Sequence, residues 1–532
     1  MGVVRVVVSL VVSVLTAARG AVVNIAYAMC EPGGSCAADA GAATDPMTLI
    51  QLPFHRAMAL QQLAPSMATQ AKPSPAPAAA AQQWALIKME DKAKSHGAVC
   101  LDGTPGAFYI RKAPSEGVDK KKWMIHLQGG GWCYDNATCY NRAYLDLGGS
   151  SAWYFQNKTG AELGAGGILS DNCTENPTFC NFNLVMAVYC DGTSFAGNRE
   201  DVVTYKDSAG KVSNLWFRGR RILEATFDTL FESYGLCNAT DVLLGGDSAG
   251  GLAVFQHTNY VQRRLKECKP CKRSPWWRPA IRFGAAPNSG FFLFHGNAEG
   301  TMVWQSQMYN VYYLSNWTMT DNRCMDQYPQ QLQWLCLFLE NAYKFIEAPI
   351  FVLNSALDLY QTANILSAEP ITFFPDGEGD HIGFSSAYNA SAVPGWRNCT
   401  GNAAHISDCT RGQIHDMNAY MGYFNQIITS TPTFRKPGNG AFIYGCFNHD
   451  AEMSSLDYTS YQVDGVPMRD ALSSWWGSWR SKGKGKHTYV EGGRYMYPAS
   501  VTDANPTCNY WCDGLDPIFC PAGRALELLQ SS

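Results

Sequence analysis

Ser248 lies in Gly246-Asp247-Ser248-Ala249-Gly250, a G-x-S-x-G pentapeptide. A serine hydroxyl attacks a carbonyl only when a base takes its proton. Such a serine works from a sharp turn between a strand and a helix, where flanking side chains would clash. The glycines suit that turn, the apolar run Val242-Leu243-Leu244 precedes it, and a helical pattern over residues 252–265 follows. The pentapeptide alone is short enough to arise by accident, so its weight comes from its surroundings.

Upstream stands His126-Leu127-Gln128-Gly129-Gly130-Gly131-Trp132-Cys133. A glycine run after a strand lets backbone N–H groups approach a developing oxyanion without obstruction. A phosphate-binding loop would carry Lys-Ser/Thr after the glycines and lead into a helix, and neither is present. A plain glycine turn is the other reading. The second oxyanion donor would be the N–H of Ala249, next to the nucleophile. An acid and then a histidine should follow the serine in the chain. The histidines available are His257, His295, His381, His405, His415, His449 and His487. His449 follows the strand-like run 441–444, and Asp358 follows the apolar run 350–354. Loops just past strand C-termini are where α/β sites form. By position alone both also fit ordinary solvated loop residues, and His257, on the helix after the serine, reads as structural.

These groups must be held by a frame. Apolar runs at 123–127, 184–189, 242–244, 350–354 and 441–444 read as buried strands. Between them lie helical patterns, the clearest over residues 218–234, with Leu223, Phe227, Leu230, Phe231 and Tyr234 on one face. The alternation predicts an α/β fold, a mostly parallel central sheet flanked by helices. Long loops rich in glycine and aromatics would be tied by disulfides. The segment around residues 63–83 is rich in Pro, Ala and Gln and reads as a linker. We expect a signal peptide at 1–28, an extension and linker at 29–85, and an esterase domain at 86–525.

The chain has 532 residues, 46% hydrophobic and 16% charged, with a formal net charge of −4. A basic footprint for nucleic acid is absent. Nineteen cysteines, with N-x-S/T sequons at Asn136, Asn157, Asn172, Asn238, Asn316, Asn389 and Asn398, favour a secretory, oxidising compartment. Arg5 precedes an apolar run over residues 6–18, and small residues suited to cleavage follow around Ala18–Ala21 or at Ala26-Tyr27-Ala28. A retained signal anchor is the alternative; no later run is long enough to span a bilayer. Cys268-Lys269-Pro270-Cys271 reads as disulfide chemistry rather than zinc, since no second pair sits at finger spacing.

Several ordered segments resemble the pectin acetylesterase family, which includes the Notum-type carboxylesterases that remove lipid from signalling proteins. Cys100-Leu101-Asp102-Gly103-Thr104-Pro105 is similar to its opening C-L-D-G-S/T-P, and His126–Cys133 to H-L-E-G-G-G-W-C. Tyr189–Gly197 resembles Y-C-D-G-x-S-F-x-G, and Phe217-Arg218-Gly219 the F-R-G before a long helix. Gly245–Gly251 resembles G-x-S-A-G-G, Asn354–Gln361 resembles N-x-x-x-D-x-x-Q, and Cys446-Phe447-Asn448-His449 resembles C-F-x-H. Cys508–Cys520 is similar to the family's cysteine-rich close. The resemblance covers roughly residues 96–520. It departs at Gln128, where the family usually has Glu; at Asn288-Ser289-Gly290, where it has D-x-G; and in Asp450-Ala451-Glu452 after His449, a segment where plant members carry a further cysteine.

The resemblance implies an α/β-hydrolase-like domain with Ser248 as nucleophile, Asp358 as orienting acid and His449 as general base. It implies oxyanion donors from Gly130, Gly131 or Trp132 together with Ala249. Neither metal nor organic cofactor is expected. The expected activity is a secreted serine carboxylesterase, extracellular or in the cell wall, taking acetyl esters from a polysaccharide such as pectin. Hydrolysis of a longer acyl chain on a protein or lipid is the alternative. A non-catalytic binding protein on a hydrolase fold is a third, disfavoured because no triad member is missing. We expect no nucleic-acid partner and no membrane span once the signal is removed.

Overall fold

In the computed structural model of the chain, the described residues are 83–520, apart from 115–117, 144–148, 150–156, 269–280, 369–392, 394, 401–407, 479–486 and 497–517. The signal peptide, nearly all of the extension, His381, His405 and Cys271 therefore lie outside the described residues. The apolar runs form one 10-stranded sheet. Its strands in chain order are β1 (Gln83–Lys88), β2 (Ala107–Arg111), β3 (Lys122–Leu127), β4 (Lys158–Thr159) and β5 (Asn183–Ala187). Then come β6 (Asp241–Asp247), β7 (Arg282–Asn288), β8 (Phe351–Ser355), β9 (Gly440–Tyr444) and β10 (Thr488–Val490).

The spatial order is β10-β9-β8-β7-β6-β3-β5-β2-β1-β4. From β5 to β10 every pairing is parallel, while β2, β1 and β4 add an antiparallel edge. Strands buried on both faces should read as continuous apolar runs. β3, β5, β6, β8 and β9 do so. β7 does not: its centre is Gly284-Ala285-Ala286-Pro287, with no β-branched residue to announce a strand. The small residues have a packing reason, since a Cβ at Gly284 would meet the ring of Trp475.

Helices cover the sheet. They include α1 (Asn136–Ala143), α2 (Gly219–Ser233), α3 (Ser248–Glu267), α4 (Val303–Ser315), α5 (Arg411–Ser430) and α6 (Met468–Ser478). α2 buries Leu223, Phe227 and Leu230 of its predicted face, with Phe231 and Tyr234 partly buried and Ile222 buried beside them. α5 begins on a capping box, with Thr410 accepting from Gln413 N–H and Gln413 reaching back to Thr410 N–H.

Disulfides Cys100–Cys190, Cys133–Cys139, Cys173–Cys180, Cys237–Cys268, Cys324–Cys336 and Cys399–Cys409 staple the loops. Cys446 is also disulfide-bonded. Cys268, from the C-x-x-C, thus pairs with the distant Cys237. Among the described residues no helix is long and apolar enough to cross a membrane.

Candidate active site

Because β3, β6, β7, β8 and β9 run parallel, the loops after their C-termini meet at one edge of the sheet. Ser248 caps β6 and opens α3. Its φ of 52° is the left-handed value that a β-strand-to-helix elbow forces on a non-glycine residue. Gly250 is obligatory there: a Cβ on it would sit on the carbonyl oxygen of Leu127 in the neighbouring strand. Ser248 is 4% exposed, and among the described residues its hydroxyl makes no hydrogen bond.

Asp358 follows β8 and is wholly buried. Its Oδ1 accepts from Gln361 N–H at 3.0 Å, and its Oδ2 lies 2.7 Å from His449 Nδ1. Gln361 is held in turn, with Oε1 accepting from Leu293 N–H at 3.1 Å and from the Tyr420 hydroxyl at 2.9 Å. His449 follows β9. An isolated parallel bridge between Asp358 and Asn448 and the bond from Leu359 N–H to Asn448 O fix the two loops together. The Tyr360 ring stacks on the imidazole at 5.5 Å. The other described histidines stand apart from this pair. His257 is buried on α3 against Thr320, and burial pushes its pKa down to about 3. His295 packs on Tyr420 and Tyr423, His415 is exposed, and His487 is buried just before β10.

The Nε2 edge of His449 meets a second carboxylate. Asp450 Oδ2 lies 3.3 Å from Nε2. Burial works to lower the imidazole pKa, but the carboxylates of Asp358 and Asp450 outweigh it and raise it to about 9.

The glycine loop after β3 is held from several sides. Asp247, beside Ser248, accepts from Gly129 N–H at 3.1 Å and lies 2.7 Å from His126 Nε2. Arg142 Nη2 donates to Gly130 O at 2.8 Å, and the Tyr189 hydroxyl to Gly131 O at 2.7 Å. In a trans peptide the N–H points opposite to the C=O. Pinning these two carbonyls therefore aims the N–H groups of Gly131 and Trp132 away from Arg142 and Tyr189. Among the described residues, the N–H groups of Gly130, Gly131 and Trp132 donate to no backbone carbonyl or side chain. Ala249 N–H, in the first turn of α3, has no intrahelical acceptor either. Gly129 N–H is engaged by Asp247 and is not available.

Aromatic rings line the same edge. Trp132 meets Phe292, Trp304 and Tyr360 edge-on, at 5.0, 5.3 and 6.0 Å between centroids. Trp132, Phe292 and Trp304 are all at most 3% exposed. A Cβ on Gly131 would come within 3.8 Å of the Tyr360 hydroxyl.

Asp247, Arg142, Tyr189, Gln361, Tyr360 and Asp450 have no role legible from sequence alone. Tyr189, Tyr360 and Gln361 lie inside the segments that resemble the family, and Asp450 in one that departs from it. Asp247 fills the variable position of the pentapeptide, and Arg142 carries no local signal.

The pectinacetylesterase family model matches residues 78–378. That stretch contains the glycine loop, Ser248 and Asp358, and ends before His449. The chain is 28% identical to pectin acetylesterase 5 of Arabidopsis thaliana over 395 residues, 73% of this chain and 80% of the relative. It is similar also to the palmitoleoyl-protein carboxylesterase NOTUM of Schmidtea mediterranea, at 27% over 344 residues, 62% of this chain and 59% of that one. The NOTUM of Mus musculus is 24% identical over 446 residues, 81% of this chain and 73% of that one.

Proposed function

This chain belongs to the pectinacetylesterase family, and from that premise we propose that it is a serine esterase releasing acetyl groups from a polysaccharide such as pectin. Its relatives make it a carboxylic ester hydrolase. The geometry supports the following roles. Ser248 Oγ attacks the ester carbonyl carbon while His449 Nε2 takes its proton, and Asp358, on Nδ1, holds the productive tautomer. The oxyanion is met by Ala249 N–H and by N–H groups of the loop Gly130-Gly131-Trp132, each such donor contributing about 3 kcal/mol. His449 returns the proton to the leaving alkoxide. A water, deprotonated by the same ring, then attacks the acyl-enzyme, and acetate leaves as Ser248 regains its proton.

The packed rings of Trp132, Phe292, Trp304 and Tyr360 support acetyl as the acyl group. They pack beside the glycine loop and the His449 ring, a setting suited to a short acyl group. The disulfides support secretion into an oxidising compartment.

The test pairs two substrates with one variant. Acetylated pectin and a long-chain acyl ester are offered to the wild type, and released acid is measured. Acetate release well above long-chain release, lost in Ser248→Ala, is expected. Preferential long-chain release would overturn the substrate assignment, and an active Ser248→Ala enzyme would overturn the serine mechanism.

A further inference from the structure

Two departures from the family pattern touch one another. Asp450 follows the base, and Asn288 stands where the family has the Asp of D-x-G. In this chain Asn288 Nδ2 donates to Asp450 Oδ1 at 3.3 Å, and Asp450 N–H donates to Ser289 Oγ at 3.0 Å. An aspartate at 288 would instead set a second carboxylate against Asp450. The backbone at Asp450 is left-handed, with φ 61° and ψ 39°, a conformation Asp and Asn adopt more readily than most residues. This turn folds the carboxylate back onto the preceding residue, leaving Oδ2 3.3 Å from His449 Nε2. That nitrogen is the one a serine nucleophile requires.

We propose that Asp450 is a positioning residue of this reaction: its carboxylate holds the Nε2 edge of His449, so the base serves Ser248 only once that contact is released. The proposal rests on the triad reading above. The imidazolium is favoured by two flanking carboxyl groups, Asp358 on Nδ1 and Asp450 on Nε2, with Asp247 at the end of β6 adding to the field. Burial pushes the Asp450 carboxyl itself up while the imidazolium pulls it back, so Asp450 and His449 titrate as a linked pair and the Nε2 edge is held by a shared proton. Glu452 lies close behind Asp450, and burial pushes its carboxyl well up, toward the neutral form. Tyr360 stacks on the ring face and adds no charge. An imidazolium cannot accept the proton of Ser248. When the ring loses its Nε2 proton, Nδ1–H stays with Asp358 and Nε2 presents a lone pair. A lone pair facing a carboxylate is repelled, so the Asp450 contact is lost and Nε2 turns to Ser248. The device therefore restrains the esterase at neutral pH and frees it at alkaline pH.

The experiment follows hydrolysis of p-nitrophenyl acetate against pH, alongside the rate of Ser248 labelling by an alkyl fluorophosphonate. In the wild type the acid limb of kcat/KM should lie near pH 9. Asp450→Asn keeps the left-handed turn and an acceptor for Asn288 but removes the charge. Its acid limb should move down by about one unit or more, with labelling shifting in parallel, and activity at pH 7 should rise about tenfold per unit moved. A wild-type limb near the ordinary histidine value of 6.5 would overturn the proposal without any variant. So would an Asp450→Asn enzyme whose rate changes while its limb stays in place. Ser248→Ala separates the two levels: if that variant is inactive and the limb does not move, the role of Asp450 fails alone. If it is active, the triad reading fails first.

Discussion

Tyr189 donates its hydroxyl hydrogen to Gly131 O at 2.7 Å while accepting from Ser194 N–H at 3.0 Å. Its ring is completely buried, and the loop that it steadies carries the candidate oxyanion donors. Tyr189→Phe keeps the ring and removes both bonds. It leaves Ser194 N–H buried without its partner, at a cost of about 1–3 kcal/mol in urea unfolding. The kcat on p-nitrophenyl acetate should fall about 10- to 100-fold with KM nearly unchanged, because the lost alignment matters most in the transition state.

Asp247 joins the elbow to the same loop. Asp247→Ala would leave Gly129 N–H and the buried His126 Nε2 without their acceptor. We expect kcat to drop at least tenfold and the urea midpoint to fall with unchanged m-value. Wild-type kinetics would show that the elbow holds the loop without this carboxylate.

Asp358→Asn preserves shape but cannot hold Nδ1–H with a carboxylate. It should lower kcat by about 10⁴-fold, the magnitude for an acid that orients a catalytic histidine. Gln361→Ala removes the acceptor for Leu293 N–H and the Tyr420 hydroxyl. It should lower kcat less, while destabilising the fold. Equal kinetic effects from the two would mean that Asp358 acts only as packing.

Trp304→Ala should open room among the rings near the loop. The ratio of kcat/KM for p-nitrophenyl butyrate over acetate should rise about tenfold, at a stability cost of about 3–5 kcal/mol. An unchanged ratio would place the acyl pocket elsewhere.

Cys100–Cys190 joins residues 90 apart and ends one residue from Tyr189. The paired Cys100→Ala and Cys190→Ala variant should lose about 2–5 kcal/mol in denaturant unfolding, and esterase activity with it, since the oxyanion loop leans on this segment. Retained activity would separate the staple from the site.

Much of the frame could be read along the chain. β6 reads as a strand because both its neighbours are parallel and both its faces are buried, so between its terminal aspartates it holds only apolar residues and glycine. The capping box at Thr410 and Gln413 is equally local, and the helix it starts could have been placed from it. β7 is not legible, because its centre lacks β-branched residues and its Gly284 answers to Trp475, nearly 200 positions away.

The elbow at Ser248, the order of Ser248, Asp358 and His449, and the glycine loop are all written along the chain. Each is a local demand: a left-handed turn, a strand end, a backbone free of side chains. Which groups those residues meet is set by the fold. His449 lies against Asp358 because β8 and β9 pair in parallel register and end together. Asp450 reaches Nε2, and Asn288 reaches Asp450, because the ends of β7 and β9 flank the same edge. Such contacts depend on sheet order and register across long stretches of chain, and no local pattern of residues encodes them.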